Sequence, residues 1–321
     1  MFENGNDGGK IPLRMKIVLG VDSEGSYVHA LNWLIRLRFR EADVLLTAVL
    51  EPLRPPLSGI LAPLPEEVLL QSLQAQEQAA EQALQQARAA LEAAGIPTRS
   101  EIRRGHASTE LLQAAETHHA DLLALGSTGK RGWRAWLLGS VGRAAITHAH
   151  QSVLIAHQSP TPEKPLEVVV ATDHSDYSRR CLQLLLQFAP QGIQKLLLTT
   201  AFELDGEMLE LLARTTPAIK EMGSQWVIEQ LHERNRELCE QLRPLGAGCE
   251  SLVVEGPPIP ALRTVLEETG AELLVLGARG HSLLERLTLG SISHHFATAE
   301  PYNLLILRVE GRTEWSAPTG D

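Results

Sequence analysis

Short apolar runs alternate with longer stretches in which apolar residues recur three and four positions apart, and this rhythm covers almost the whole chain. Lys16 to Val21 (KIVLGV) is an apolar run ending at an aspartate, and Tyr27 to Leu37 then shows helical spacing. Strand followed by helix is the reading. Val44 to Val49 gives a second strand, and Pro52 to Pro65 a proline-marked loop. A long helix follows whose narrow stripe is Leu73, Ala80, Leu84, Ala87, Leu91 and Ala94. Gly95 and Pro97 stop it. Thr98 to Arg104 forms a third strand and Ser108 to His118 a helix capped by Ser108 or Thr109. Asp121 to Gly126 is a buried fourth strand, and Ser152 to Ala156 the fifth.

The pattern then repeats. A shift of 151 residues pairs Asp22 with Asp173, Gly95 with Gly246, Gly105 with Gly256, Gly126 with Gly277, Gly129 with Gly280, Gly139 with Gly290 and Ser140 with Ser291. Glycine spacing held across a whole domain marks an internal duplication. The second copy runs through VVVATD, KLLLTT, SLVVE, ELLVLG and NLLILRV, with the register of its second strand left open. Between the copies lies SPTPEKP, proline-rich and polar. The expected organisation is a leader at 1–14, a first domain at 15–158, a linker at 159–165, a second domain at 166–310 and a tail at 311–321. Strands alternating with helices require right-handed crossovers, which place a parallel sheet between two helical layers. The predicted class is therefore α/β, twice.

Bulk properties narrow the function. At 321 residues the chain exceeds the usual single-domain range of ~100–200. A net charge of -10 with no basic stripe argues against general nucleic-acid binding. Cys181, Cys239 and Cys249 show no metal-ligand spacing, and a reducing compartment fits them best. The first residues, MFENGNDGGKIPLRMK, lack a signal-peptide core, and no run approaches ~18 uninterrupted apolar residues. A soluble cytoplasmic protein with no membrane partner is the expectation.

Candidate chemistry gathers where two loops follow strand ends, the place where open parallel sheets bind ligands. After the first strand stand Asp22 and Asp173. After the fourth come GSTGKRGWRAWLLGS and GARGHSLLERLTLGS, which share the spacing Gly, two residues, Gly, nine residues, Gly-Ser. Such glycines let successive N–H groups turn around phosphate oxygens, and the final Gly-Ser opens a helix whose positive end favours an anion. Lys130, Arg131 and Arg134, with Arg279, His281 and Arg286, make both loops locally basic in an acidic chain. The plainer alternative makes the glycines strand-to-helix turns, Ser140 and Ser291 simple N-caps, and the aspartates caps of the next helix.

The GxxG, nine residues, GS pattern with a strand-end aspartate resembles the ATP-binding branch of the universal stress protein family, across about Lys16 to His157 and Leu166 to Val309. DHSDYS of the second copy matches the family's D-x-S-x-x-S opening, whereas DSEGSY of the first departs from it and places Glu24 where Ser175 stands. The resemblance implies an adenine-nucleotide alpha-hydrolase-like fold with strand order 3-2-1-4-5. It implies phosphate and ribose contacts from Gly126, Gly129, Gly139, Ser140 and Val141 in the first copy, and from Gly277, Gly280, Gly290, Ser291 and Ile292 in the second. Asp22 and Asp173 would hold the nucleoside, and the adenine would meet backbone at Ala48 or Val49 and at Thr199 or Thr200. The implied ligand is ATP or ADP, with or without magnesium. Fifth strands pair across a dimer axis in the family, so here they are expected to pair within the chain, with a homodimer of tandem chains as a further expectation.

The function so implied is a stress-response or signalling module with little or no turnover. A slow ATPase or kinase-like enzyme and an interaction protein with vestigial pockets are the alternatives. No Ser/His/Asp order, HExxH or Walker lysine is present to support an enzyme. The pairs His118–His119 and His294–His295 read as solvated helix surface rather than metal ligands. Trp133 and Trp136 occur in one copy only, which favours packing over base stacking. The Ala/Gln-rich stretch at 73–94 reads as a domain helix rather than a coiled coil.

Overall fold

The computed structural model describes residues 14–52, 66–127, 138–204, 222–279 and 289–309, together with 206, 210, 211, 214 and 216. The first half contains β1 (Met15–Val21), α1 (Tyr27–Leu37), β2 (Ala42–Leu50), α2 (Glu66–Ala93), β3 (Thr98–Arg104), α3 (Ala107–Thr117), β4 (Leu122–Gly126), α4 (Ser140–His148) and β5 (Ser152–Ala156). The second contains β6 (Glu167–Ala171), α5 (Asp176–Phe188), β7 (Lys195–Phe202), α6 (Ser224–Leu242), β8 (Gly248–Glu255), α7 (Pro258–Thr269), β9 (Leu273–Gly277), α8 (Ser291–Ala299) and β10 (Asn303–Leu307).

The strands form one sheet in the order β3-β2-β1-β4-β5-β10-β9-β6-β7-β8. Each half keeps the order 3-2-1-4-5, so the α/β class stands, and the expected pairing of the fifth strands joins the two five-stranded halves into one sheet of ten strands. The halves join where β5 and β10 run antiparallel, Leu154 opposite Leu305; every other strand pair is parallel. The joint is a physical necessity for these sequences. Every residue of SVLIA and NLLIL is buried, and either strand left as an edge would offer an apolar template for aggregation. The outer edges fall instead on β3 and β8, whose sequences TRSEIRR and GCESLVVE carry charges.

Helix amphipathicity fixes the layers. In α1, Tyr27, Ala30, Leu31, Trp33, Leu34 and Leu37 are buried at spacings of three and four. In α2 the buried face is Ala80, Ala83, Leu84, Ala87 and Leu91, whereas Leu73 is 42% exposed and Ala94 lies beyond the helix, which trims the predicted stripe at both ends. The predicted caps Ser108 and Thr109 lie inside α3, which begins at Ala107. Its first N–H instead donates to Glu51 Oε1 at 2.9 Å, just past the end of the neighbouring strand β2. The acceptor came from a distant residue, which local sequence does not reveal.

The segment between the halves is tied down on both sides. Trp33 Nε1 donates to the Gln158 carbonyl at 2.8 Å, Asn32 donates to Ser159 Oγ at 2.9 Å, Thr161 bonds Glu272, and Lys164 donates to the Gly270 carbonyl. Cys239 and Cys249 form a disulfide joining the end of α6 to the start of β8, with 10 residues of sequence separation, while Cys181 is free and buried. A disulfide is a feature of oxidising surroundings and sits against the reducing compartment read from cysteine spacing. Among the described residues no helix is long and apolar enough to cross a membrane.

Candidate functional site

Strand pairing settles the register left open in sequence. Ile17 faces Val44 and Val21 faces Ala48, while in the second half Val168 faces Leu196 and Ala171 faces Thr199. At the second strand the copies are thus offset by one more residue, and Ala48 corresponds to Thr200, Thr47 to Thr199. Elsewhere the 151-residue shift holds, so Ser23 corresponds to His174 and Leu84 to Asn235.

In the first half, the C-terminal ends of β1, β2 and β4 surround a cavity of about 480 Å³. It brings together Asp22, Ala48, Val49, Gly126, Ser140 and Val141, all expected from sequence, with Ser23, Glu24, Glu51, Gln76 and Ala80 added. The cavity spans two strand intervals, from β2 and α2 to β4 and α4, or about 10 Å. At one end stand the apolar side chains of Ala48, Val49, Leu50 and Ala80; at the other is the start of α4.

The start of α4 differs from the plainer reading of sequence. Gly139, not Ser140, is the N-cap residue, with φ -64 and ψ 174, and no side chain accepts from the helix N–H groups there. Gly290 holds the same place before α8, with φ -60 and ψ 150. Neither angle demands glycine, so what glycine supplies is an absent side chain beside open helix N–H groups. Both helix starts can therefore receive an anion.

Asp22 does act as a helix cap: its carboxylate accepts from the N–H groups of Ser26 and Tyr27 at 3.1 Å each, and from Ser26 Oγ. It still lines the cavity. Asp173 accepts from Ser175 N and Oγ at 3.0 and 2.6 Å, and Ser175 in turn caps α5 through Ser178 N. Gly126 packs against the start of α1 so closely that an added Cβ would overlap the Ser26 carbonyl.

The second pocket is smaller, about 110 Å³, and lies between the ends of β6, β7 and β9 and the starts of α7 and α8. Asp173, Thr199, Gly277, Gly290, Ser291 and Ile292 line it, as does Arg279; Thr200 does not. Ser293, which sequence reading did not single out, donates to the Gly277 carbonyl at 2.7 Å. His174 has a positive φ of 59 and is buried. Its Nε2 lies 3.2 Å from Thr200 Oγ1, which donates to Asn235 Oδ1 at 2.9 Å, and Asn235 Nδ2 donates to the Leu198 and Leu252 carbonyls at 3.2 Å. Burial, followed by Arg234 and Arg179, lowers the pKa of His174. The signal for this triad was present in the repeat: a histidine, a threonine and an asparagine replace Ser23, Ala48 and Leu84.

Gly129 and Gly280 lie outside the described residues, as do Lys130, Arg131, Trp133, Arg134, Trp136, His281 and Arg286. The histidine pairs face more than solvent, because His118 lies 3.5 Å from Glu101 and His295 3.0 Å from Glu300. Among the described residues no group of three or more His, Cys, Asp or Glu is arranged to hold a metal.

Two half-sheets of order 3-2-1-4-5, each with a pocket at its strand ends, define a duplicated α/β nucleotide-hydrolase-like architecture. The universal stress protein family model matches residues 14–157 and again 167–308, and the chain belongs to that family. Universal stress protein Rv2623 of Mycobacterium tuberculosis is 26% identical over 298 residues, covering 91% of this chain and 96% of that protein. Universal stress protein MJ0531 of Methanocaldococcus jannaschii is 39% identical over 61 residues, so the match covers 19% of this chain and 36% of that protein. The crystal structure of a universal stress protein from Archaeoglobus fulgidus superposes with a TM-score of 0.62 at 20% identity, covering 91% of this chain and 98% of that one.

Proposed function

We propose that this chain is a stress-response module that binds an adenine nucleotide, ATP or ADP, with little or no turnover. The observation that carries the reading is the first cavity. Its volume of about 480 Å³ falls in the range of small-molecule sites, and its two ends differ in the way a nucleotide's do. The apolar end at Ala48, Val49, Leu50 and Ala80 suits a base, and the uncapped start of α4, where Ser140 and Val141 line the cavity behind the N-cap Gly139, suits phosphates. Asp22, Glu24 and Glu51 supply acceptors for ribose hydroxyls.

The test is to denature freshly purified protein, identify released nucleotide by mass spectrometry and measure its ratio to chain. Gly139→Glu places a carboxylate in the phosphate seat, where like-charge repulsion of several kcal/mol weakens ATP binding by about a hundredfold or more. Unchanged retention in a Gly139→Glu, Gly290→Glu double variant, or a protein that stays empty after addition of ATP and magnesium, overturns the reading. Multiple turnovers of ATP would replace the binding module with an enzyme.

A further inference from the structure

We propose that His174 closes the nucleoside end of the second pocket, so that the chain binds one nucleotide, in its first half. The inference rests on the nucleotide reading above and adds which pocket works and what silences the other. The two pockets occupy equivalent places in the repeat, yet their volumes are about 480 and 110 Å³. The larger lies within the roughly 300–1,000 Å³ typical of ligand sites and the smaller well below it.

The difference lies at one end. The first cavity reaches past Ala48 to Leu50, Glu51, Gln76 and Ala80 and is also lined by Ser23 and Glu24, whereas the second stops at Ala201, the equivalent of Val49. In the second half the residue equivalent to Ser23 is His174, and its ring reaches Thr200, the equivalent of Ala48. Thr200 is held in turn by Asn235, the equivalent of Leu84, which bonds main-chain carbonyls of both β7 and β8. All three residues are buried, at 9%, 3% and 0% exposure. A small, an apolar and another apolar side chain have become a histidine, a threonine and an asparagine that satisfy one another. Each would leave unmet hydrogen bonds if buried without the others, so they act as a unit.

His174 is also anchored through its backbone. Its N–H donates to Thr172 Oγ1 at 3.2 Å, its carbonyl accepts from Arg179 Nη2 at 2.9 Å, and its left-handed φ turns the side chain back over the end of β7. An adenine at the end of β7 would have to displace the imidazole and leave Thr200 and Asn235 to find other partners. What remains of the second pocket runs from Thr199 and Ala201 of β7, past Leu262 of α7, to Gly277, Arg279 and the start of α8, without the stretch toward α6.

Equilibrium dialysis with ATP measures the stoichiometry directly. Wild type is expected to bind one nucleotide per chain, and Gly139→Glu to remove it. His174→Ser restores the first copy's residue and is expected to raise the ratio from one to two. In the His174→Ser, Gly139→Glu double variant one nucleotide should return, held by the second pocket. Thr200→Ala, which copies Ala48 and removes the imidazole's partner, serves where His174→Ser fails to fold. Two nucleotides on wild type, retained binding in Gly139→Glu alone, or a ratio that stays at one in folded His174→Ser each overturn the inference while leaving the nucleotide reading intact. No binding by wild type or by His174→Ser overturns the nucleotide reading itself, and this inference with it.

Discussion

Replacing Gly126 by alanine should destabilise the first half far more than Gly277→Ala destabilises the second. An alanine Cβ at 126 would fall inside the Ser26 carbonyl and 2.9 Å from the Tyr27 nitrogen, both main-chain atoms at the start of α1. They cannot move alone. Retreat of α1 disturbs the packing of Tyr27, Trp33 and Leu34 and pulls Ser26 and Tyr27 away from the Asp22 carboxylate. Overpacking of a tight core costs about 1–3 kcal/mol and a weakened cap about 0.5–2 kcal/mol, which together give about 2–4 kcal/mol. At Gly277 the nearest atoms, the Arg279 carbonyl, Cys181 Sγ and Tyr177 Cε1, stand at 3.3 Å, so small shifts suffice and the cost stays below about 1 kcal/mol. Urea unfolding followed by tryptophan fluorescence reads the difference, since Trp33 is fully buried in α1. A Gly126→Ala protein within about 0.5 kcal/mol of wild type, or one no worse than Gly277→Ala, would refute the reasoning.

Two further outcomes follow from other parts of the molecule. Burial, and secondly the neighbouring His29, lower the pKa of His157 from 6.5 to about 4, and neither ring nitrogen has a hydrogen-bond partner. The unfolded chain therefore takes up a proton that the folded chain resists: this contribution to stability is complete above pH 6.5 and is lost as pH falls toward 4. The loss amounts to about 2 kcal/mol between pH 7 and pH 5. Urea titrations at both pH values should show a smaller pH dependence in His157→Gln, and equal dependence would contradict the assignment. The Cys239–Cys249 bridge closes a short loop and should contribute about 2–3 kcal/mol. Thermal melts with and without reductant measure it, and a Cys239→Ser protein should melt alike in both.

Much of this was legible because the signals are periodic. Alternating apolar runs and helical stripes gave the element order, and the repeated glycine spacing gave the duplication and, with the family resemblance, six lining residues of each cavity. The pairing of SVLIA with NLLILRV was implied by the family resemblance, and it is the joint of the single ten-stranded sheet. What stayed hidden depends on single side chains meeting across distance. Glu51 capping α3, Asn235 reaching two strands and the one-residue offset at β7 leave no mark on local periodicity. His174 was in view as part of DHSDYS, but its meaning required the strand register that pairs Thr200 with Ala48.

The antiparallel joint of β5 and β10 has a consequence for how such a molecule changes over time. In an assembly of identical chains, a substitution enters every copy at once, and both pockets must share its benefit or its harm. Here each half always meets the other within one polypeptide, at any dilution, and the two may drift apart in sequence while their union persists. An aspartate with a serine beside it on one side and with a histidine beside it on the other is a difference that only such a covalent union can keep.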